Sequence, residues 1–211
     1  LSLVGSEMCI RDSGEYDDIR LPRTRTSMQR HAHRDTRRQI TRSRKATMRI
    51  HITYTGGTIG MVESPNGLVP GADMRGWLRR LIEDAHLDPS LFSFTELDPL
   101  IDSSNATPDN WQTMADDLRA HRDDADAFVV LHGTDTMSYS SAALSYALTG
   151  FGKPVIFTGS QHPLGKIESD ATANVTGALN AAMSGRFHGV GLFFGHHLFA
   201  GNRCLLYTSD A

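Results

Sequence analysis

Ala127-Phe128-Val129-Val130-Leu131-His132-Gly133-Thr134-Asp135-Thr136-Met137 is the stretch that decides the architecture. Its first residues are apolar without alternation, which reads as a strand buried on both faces. The run stops at a polar, glycine-containing turn, and small residues then continue to Leu148 as a helix. Strand, polar loop and helix form half of a βαβ unit.

The unit repeats on both sides. Upstream, Arg49–Tyr54 is β-prone and ends in Thr55-Gly56-Gly57-Thr58-Ile59-Gly60. Met61–Val69 contains Pro65 and the turn pair Asn66-Gly67, so a hairpin or lid is expected. Asp73–Ala85 places Trp77, Leu78, Leu81 and Ile82 on one helical face, and Phe94–Leu100 reads as a second strand before the polar loop Ile101–Ala106. Thr107-Pro108-Asp109 opens a helix with a capping hydroxyl, a proline at the first helical position and an acid in the first turn. Downstream, Pro154–Thr158 is a strand ending in Gly159-Ser160-Gln161; Ser169-Asp170 caps another helix, and Val190–Phe194 is the last clear strand. The alternation predicts an α/β fold in three layers, a parallel sheet with helices on both faces. Ligands bind beyond the carboxyl ends of such strands. Thr55–Gly60, Asp102–Asn105, His132–Thr136 and Gly159–Gln161 all fall there and are expected to converge.

The charge is unevenly spread. Residues 20–49 hold eleven Lys or Arg against one acid, Asp35, whereas residues 50–203 hold nine basic and seventeen acidic residues. Segment 1–48 shows no sustained period. It reads either as a basic nucleic-acid arm or organelle presequence, or as wrongly translated upstream sequence; because the basic stretch 20–49 has no Phe, Tyr or Trp to stack on bases the second reading is preferred, with Met48 as the natural start. Residues 1–48 are thus expected to be a disordered, non-native extension, 49–203 the folded body and 204–211 a non-native tail. No apolar run reaches the roughly 18 residues of a membrane helix. Cys9 and Cys204 alone support neither a disulfide framework nor a thiolate metal site.

The loops narrow the chemistry. Gly56 and Gly57 allow a tight turn with uncovered amides, suited to an anion or a developing oxyanion. The loop lacks both the Gly-Lys-Ser/Thr ending of a phosphate loop and the G-x-G-x-x-G fingerprint, and Gly152-Lys153 runs into Pro154 and a strand. What the loops offer is hydroxyls: Thr55, Thr58, Ser103, Ser104, Thr134, Thr136 and Ser160. An alcohol needs a neighbour to take its proton, and Asp135 and Lys153 are the candidates. Lys153 reads equally as a base acting through Thr134 or as a structural ion pair. His132 reads as a base or, more simply, as a hydrogen-bonded residue at a strand end. His196-His197, adjacent in a strand, would point to opposite faces and not share a metal. No zinc motif is present, so neither metal nor cofactor is expected. Trp77, Phe92 and Phe94 read as core, and the acidic stretch Asp116–Asp126 as a solvated helix face and turn.

These residues together resemble the bacterial-type L-asparaginase family, in particular its cytoplasmic type I branch. Ile52–Gly60 is similar to the family's first signature and Val130–Met137 to its second. The type I character lies in Asp102-Ser103-Ser104 with Pro108 and Trp111, in Lys153–Gln161, and in Gly201-Asn202-Arg203. The resemblance runs from Arg49 to Arg203 and implies hydrolysis of L-asparagine to L-aspartate and ammonia in the cytoplasm, without cofactor, nucleic acid or membrane. Thr58 matches the nucleophile. Thr134, Asp135 and Lys153 match a second catalytic triad, and the backbone near Gly57 and Thr134 an oxyanion site. Ser103 and Ser104 match the positions that hold the substrate's α-carboxylate, and Asp135 the one that takes its α-ammonium.

Three positions depart from the family pattern: Leu68 where a loop tyrosine is frequent, Asn105 where an acid is common, and Ala127 where glycine is usual. The family also continues into a smaller C-terminal domain and assembles as homodimers or homotetramers whose sites borrow residues from a neighbouring protomer. This chain by itself is therefore expected to hold an incomplete site. Two other readings stand beside hydrolysis of asparagine: an asparaginase-like subunit of a tRNA-dependent amidotransferase, and a non-catalytic asparagine-binding module.

Overall fold

The computed structural model describes residues 8–12, 47–65 and 67–208 of the 211. The elements in chain order are β1 (Met8–Asp12), β2 (Ile50–Tyr54), β3 (Met61–Ser64), β4 (Gly67–Pro70), α1 (Met74–Asp84), β5 (Phe92–Glu96), α2 (Pro108–Ala120), β6 (Ala127–Leu131), α3 (Met137–Ala147), β7 (Val155–Thr158), α4 (Ala171–Ala182), β8 (Val190–Phe194), β9 (His197–Ala200) and β10 (Cys204–Thr208).

The central sheet has six strands in the order β5-β2-β6-β7-β8-β9. Its first five run parallel; β9 folds back antiparallel on β8. The expected α/β class is observed. Both faces are covered: α1 and α4 pack through Met74, Leu78, Val175, Ala178 and Leu179 on one, and α2 and α3 through Met114, Leu118 and Leu144 on the other. All of β6 is buried, with Phe128 and Val130 toward the second pair of helices and Ala127, Val129 and Leu131 toward the first. Its unbroken apolar run is the consequence, since both pleat faces need apolar side chains.

Local signals place the helices as expected. Asp73 caps α1 by accepting from the Gly76 amide at 2.8 Å. Pro108 stands at the first position of α2, and Asn110 Oδ1 accepts from the Thr107 amide at 2.8 Å. Trp111 then donates from Nε1 to Ser140 Oγ at 3.0 Å, tying α2 to α3.

Several boundaries differ. The second strand begins at Phe92, two residues before the expected start, because Pro89–Leu91 forms a single 3-10 turn that delivers the chain to the sheet edge. Phe92, Phe94 and Trp77 lie half-buried against the core, as edge positions do. Gly195 and His196 take positive φ values of 55° and 70°, so they form a tight turn and His197 starts β9. His196 and His197 are thus not successive residues of one strand. The hairpin β3–β4 forms where a hairpin or lid is expected, although Asn66 lies outside the described residues.

Most of segment 1–48 also lies outside the described residues. Within it, β1 pairs antiparallel with β10, Met8 opposite Thr208 and Asp12 opposite Cys204. Among the described residues, no helix is long and apolar enough to cross a membrane.

Candidate active site

The strand order reverses at β2, whose neighbours are β5 and β6, both later in the chain. A reversal of this kind splays the following loops to opposite sides and opens a crevice at the carboxyl ends of the strands. The loops after β2 and β6 flank that crevice.

Backbone contacts lock the loops together. Gly56 has φ +126°, and a methyl group there would strike the Ile101 carbonyl. Gly57 has φ +95°, and its added carbon would lie 2.5 Å from Gly133 Cα and 2.6 Å from the Gly133 nitrogen. Only glycine permits both that φ and that approach. A side chain on Gly133 would in turn strike Ser103, and one on Gly159 the His132 carbonyl. Hydrogen bonds follow the same path. Thr55 donates from both N and Oγ1 to the Leu131 carbonyl, at 2.9 and 3.0 Å, and its own carbonyl accepts from Ile101 at 2.7 Å. Thr136 Oγ1 donates to the Ser103 carbonyl at 2.7 Å. The four loops expected to converge do so.

Thr58 begins a 3-10 turn, Thr58–Gly60, directly after the glycine pair, and is half-buried. Ser103 is buried and donates from Oγ to Asp135 Oδ2 at 3.2 Å, so the two are turned toward each other, while Asp135 itself reaches solvent. Ser104 is exposed and donates to Asp102 Oδ1 at 2.8 Å. Hydrogen bonds from the Ser104 hydroxyl and amide hold the Asp102 carboxyl below its ordinary range. Thr134 and Asp135 immediately precede α3, whose amino end favours negative charge in front of it. Thr55 and Thr136 are committed to backbone partners, and Ser160 donates to the His162 carbonyl at 2.6 Å. That leaves Thr58, Thr134, Ser103 and Ser104 as the loop hydroxyls not committed to the backbone, the last two turned to the carboxylates of Asp135 and Asp102.

Lys153 is not among these groups. It precedes β7 and so stands at the amino end of the sheet, whereas Thr134 follows the carboxyl end of β6. Strands of this length separate the two ends by roughly 13–17 Å. The ammonium instead donates to the Arg122 carbonyl and, at 2.6 Å, to the Ala125 carbonyl. The expectation that Lys153 takes a proton through Thr134 is therefore corrected: the lysine caps the turn after α2.

His132 is a structural residue rather than a base poised in solvent. It is 1% exposed, with Nδ1 2.7 Å from the Gly133 carbonyl and its ring against Phe157. Burial pushes its pKa down, so the ring is neutral at pH 7. The carbonyl partner makes Nδ1 the donor, leaving Nε2 as a buried acceptor; among the described residues it and Gln161 Oε1 are buried without a partner.

Two positioning residues emerge only from the fold. The sequence suggests Asp170 as a cap for α4. Its carboxylate instead accepts from the Gln161 and His162 amides at 3.0–3.1 Å and from Asn174 Nδ2 at 2.9 Å. Asn174 is buried, donates to the Gly159 carbonyl at 3.0 Å and accepts from the Gly195 amide at 3.2 Å. Together they fix the loop after β7. The one sequence signal for this role is an amide side chain set among small residues in Ala171–Ala182.

Comparison with known proteins bears on this geometry. A family model described as "Asparaginase, N-terminal" matches residues 49–211. The chain is similar to "L-asparaginase 1" of Escherichia coli (strain K12), 48% identical over 159 residues, covering 73% of this chain and 46% of that protein. It is less similar to a glutamyl-tRNA(Gln) amidotransferase component of Thermococcus kodakarensis, 31% identical over 153 residues, covering 70% of this chain and 33% of the relative. Among solved structures, L-asparaginase I from Vibrio cholerae superposes with a TM-score of 0.62 at 40% identity, over 79% of this chain and 52% of that one. The chain thus spans about half the length of these two asparaginases.

Proposed function

The chain belongs to the asparaginase family, and from that premise we propose that the whole protein hydrolyses L-asparagine to L-aspartate and ammonia with Thr58 as nucleophile. The observation that carries this reading is the seating of Gly57 against Gly133, which brings the Thr58 turn beside Thr134, Asp135 and Ser103 at the strand-order reversal.

The chemistry follows from the groups present. The Thr58 hydroxyl adds to the side-chain amide carbon, the amide oxygen takes negative charge, and expulsion of ammonia leaves an aspartyl ester that water then cleaves. Charge on the oxygen is favoured near the backbone of Gly57 and Thr134, at the amino end of α3. Ser103 and Ser104 supply hydroxyl donors for the α-carboxylate, and Asp135 an exposed carboxylate for the α-ammonium. The proton acceptor that completes the triad must be a group other than Lys153. The reading calls on no cofactor. It places the intact protein in the cytoplasm as a homodimer or homotetramer, and light scattering on the full-length gene product tests the assembly.

The decisive experiment measures ammonia release by the full-length gene product and its Thr58→Ala variant. A loss of about a thousandfold or more, with an unchanged melting temperature, is the expected result. Near-normal turnover in the variant would refute the nucleophile. The similarity to a glutamyl-tRNA(Gln) amidotransferase component supports a second reading, a subunit of a tRNA-dependent amidotransferase, for which ammonia would be drawn from glutamine. Parallel assays with L-asparagine and L-glutamine, with and without tRNA, separate the two. Asparagine binding without ammonia from either substrate would favour a binding module.

A further inference from the structure

The amino end of β2 carries a polar cluster that the proposed reaction does not use. β2 is buried on both faces, yet alternate residues, His51 and Thr53, point polar groups toward α2. Asp117, on the last turns of α2, meets them: His51 Nε2 lies 3.2 Å from Oδ2, and Thr53 Oγ1 donates to the same oxygen at 2.6 Å. His121, four residues on and therefore on the same helix face, places Nδ1 3.3 Å from Asp117 Oδ1. The two imidazole rings are stacked, 3.8 Å between centroids and 13° apart.

We propose that His51, Asp117 and His121 form a binding site for one divalent transition-metal ion of the zinc class, bridging β2 to α2. One ligand atom from each of the three falls within 4.8 Å of the others. Two donors about 2.0–2.1 Å from a tetrahedral ion stand roughly 3.3–3.4 Å apart. The nitrogen-to-carboxylate separations, 3.2 Å from His51 to Oδ2 and 3.3 Å from His121 to Oδ1, each come near that edge length, and the carboxylate has only to turn to offer one oxygen to the ion.

The surroundings are those of a ligand set held in place. Ser93 Oγ lies 2.7 Å from His51 Nδ1, which fixes the ring so that Nε2 faces the carboxylate, and Thr53 anchors the carboxylate. His51 is buried, whereas the His121 side chain is 33% exposed. An ion therefore has an open side toward solvent for a water as fourth ligand. His121, just after the helix, is the member that would move: its Nδ1 lies 2.9 Å from the Asp117 carbonyl and must leave it, the ring tilting out of the stack, to reach the ion. An imidazole pair with a carboxylate suits zinc or cobalt(II) rather than calcium or magnesium, which prefer oxygen. The cluster sits near the amino ends of the strands, away from Thr58, so the ion would fasten the fold rather than take part in amide cleavage.

Zinc alone, titrated calorimetrically into chelator-treated full-length protein, tests this. The expected result is one saturable equivalent, weakened by at least about 10–100-fold in His121→Ala and Asp117→Asn, and unchanged in a His196→Ala/His197→Ala variant. Cobalt(II) should give the visible bands of a four-coordinate ion in the unaltered protein and lose them in His121→Ala. Absence of a saturable site, or equal affinity in His121→Ala, overturns the proposal. Should either variant fail to fold, X-ray absorption at one equivalent of zinc decides: two imidazoles and one carboxylate are required, and any other count rejects the site.

Discussion

The two ends of the central sheet are built on opposite plans. At the carboxyl end, close backbone contact sets the loops against one another, Gly57 on Gly133, Gly56 on Ile101 and Gly159 on His132, and buried side-chain bonds are concentrated on the loop after β7, held by Asp170 and Asn174. Thr58, Thr134 and Asp135 are thereby left half-buried or exposed at a crevice, with Ser103 buried beside Asp135. At the amino end, side chains do the holding. Lys153 caps the carbonyls of Arg122 and Ala125, Arg49 offers its amide to Asp126 at 2.8 Å, and His51, Thr53 and His121 surround Asp117. The contrast teaches what kind of ligand each end can take. A loop fixed through glycine backbone keeps its side chains available for a substrate, whereas side chains that fasten an end can at most share that fastening with an ion.

The largest effect should come from breaking the backbone lock. Gly57→Ala meets both a φ of +95° and the immovable Gly133 backbone. Loss of about 4 kcal/mol or more, or failure to fold, is expected in urea unfolding. Gly67→Ala is the control, because it shares a positive φ, +106°, but faces open space in the hairpin. It should cost only about 1 kcal/mol. Equal costs at the two glycines would show that the loops are not interlocked.

Asp117→Ala attacks the other end. It strips a buried His51 and Thr53 of their common partner and should cost about 2–4 kcal/mol, with kcat of the full-length protein unaffected. A pH series sharpens the result. Burial pushes the Asp117 carboxyl up, but hydrogen bonds from His51 and Thr53 and the nearby His51 and His121 outweigh it, so its folded pKa lies below the ordinary value. A depressed carboxylate contributes stability that is present above its unfolded pKa of about 3.9 and is lost as pH falls through the folded value. Asp117→Asn should therefore be less stable than the parent at pH 6 and converge with it toward pH 3. Parallel curves would mean that the carboxylate's charge plays no part.

Lys153→Met tests the placement of a single residue between the two plans. With the ammonium capping carbonyls, stability should fall by about 1–2 kcal/mol while kcat in the full-length protein stays within about twofold. A folded Lys153→Met protein with turnover reduced a thousandfold would return the lysine to the site and undo the contrast.

What the sequence shows of this division depends on how local each signal is. Ala127–Leu131 and Val155–Thr158 announce themselves because a doubly buried strand needs an unbroken apolar run, and the glycines that follow mark the loops. Thr58, Ser103 and Asp135 are legible as polar residues just past strand ends. The order β5-β2-β6 is not, since which strands pair is settled by contacts far apart in the chain. His51 reads as an oddity in an apolar strand and Asp117 as one acid in a solvated run; only folding across 66 positions shows that each answers the other. Lys153 misleads for a different reason. Closeness in sequence to an active-site strand is not closeness to its loop, because a residue preceding a parallel strand must lie at the far end. The turn at Gly195-His196 is hard to read because histidine seldom takes positive φ, even though the glycine beside it is a cue.

The smallest effect concerns the hairpin β3–β4, which follows the Thr58 turn. Lys166 Nζ meets Glu63 Oε1 at 3.0 Å, joining β3 to the loop after β7, and the Leu164 amide reaches the Ile59 carbonyl at 3.4 Å beside it. Both charged side chains are half or more exposed, 50% and 74%, so water screens the pair. Glu63→Gln should change stability by less than about 0.5 kcal/mol. Its value as a test lies in KM. The hairpin carries the exposed Leu68 and leads back to Thr58, so a looser tether lets it open more readily without altering the groups that react. A modest rise in KM, about two- to threefold with kcat constant, is expected in low salt and should vanish at high ionic strength, where the parent has lost the same attraction. If kcat falls instead, the hairpin positions Thr58 itself, and the carboxyl end of the sheet relies on side chains more than its glycine contacts suggest.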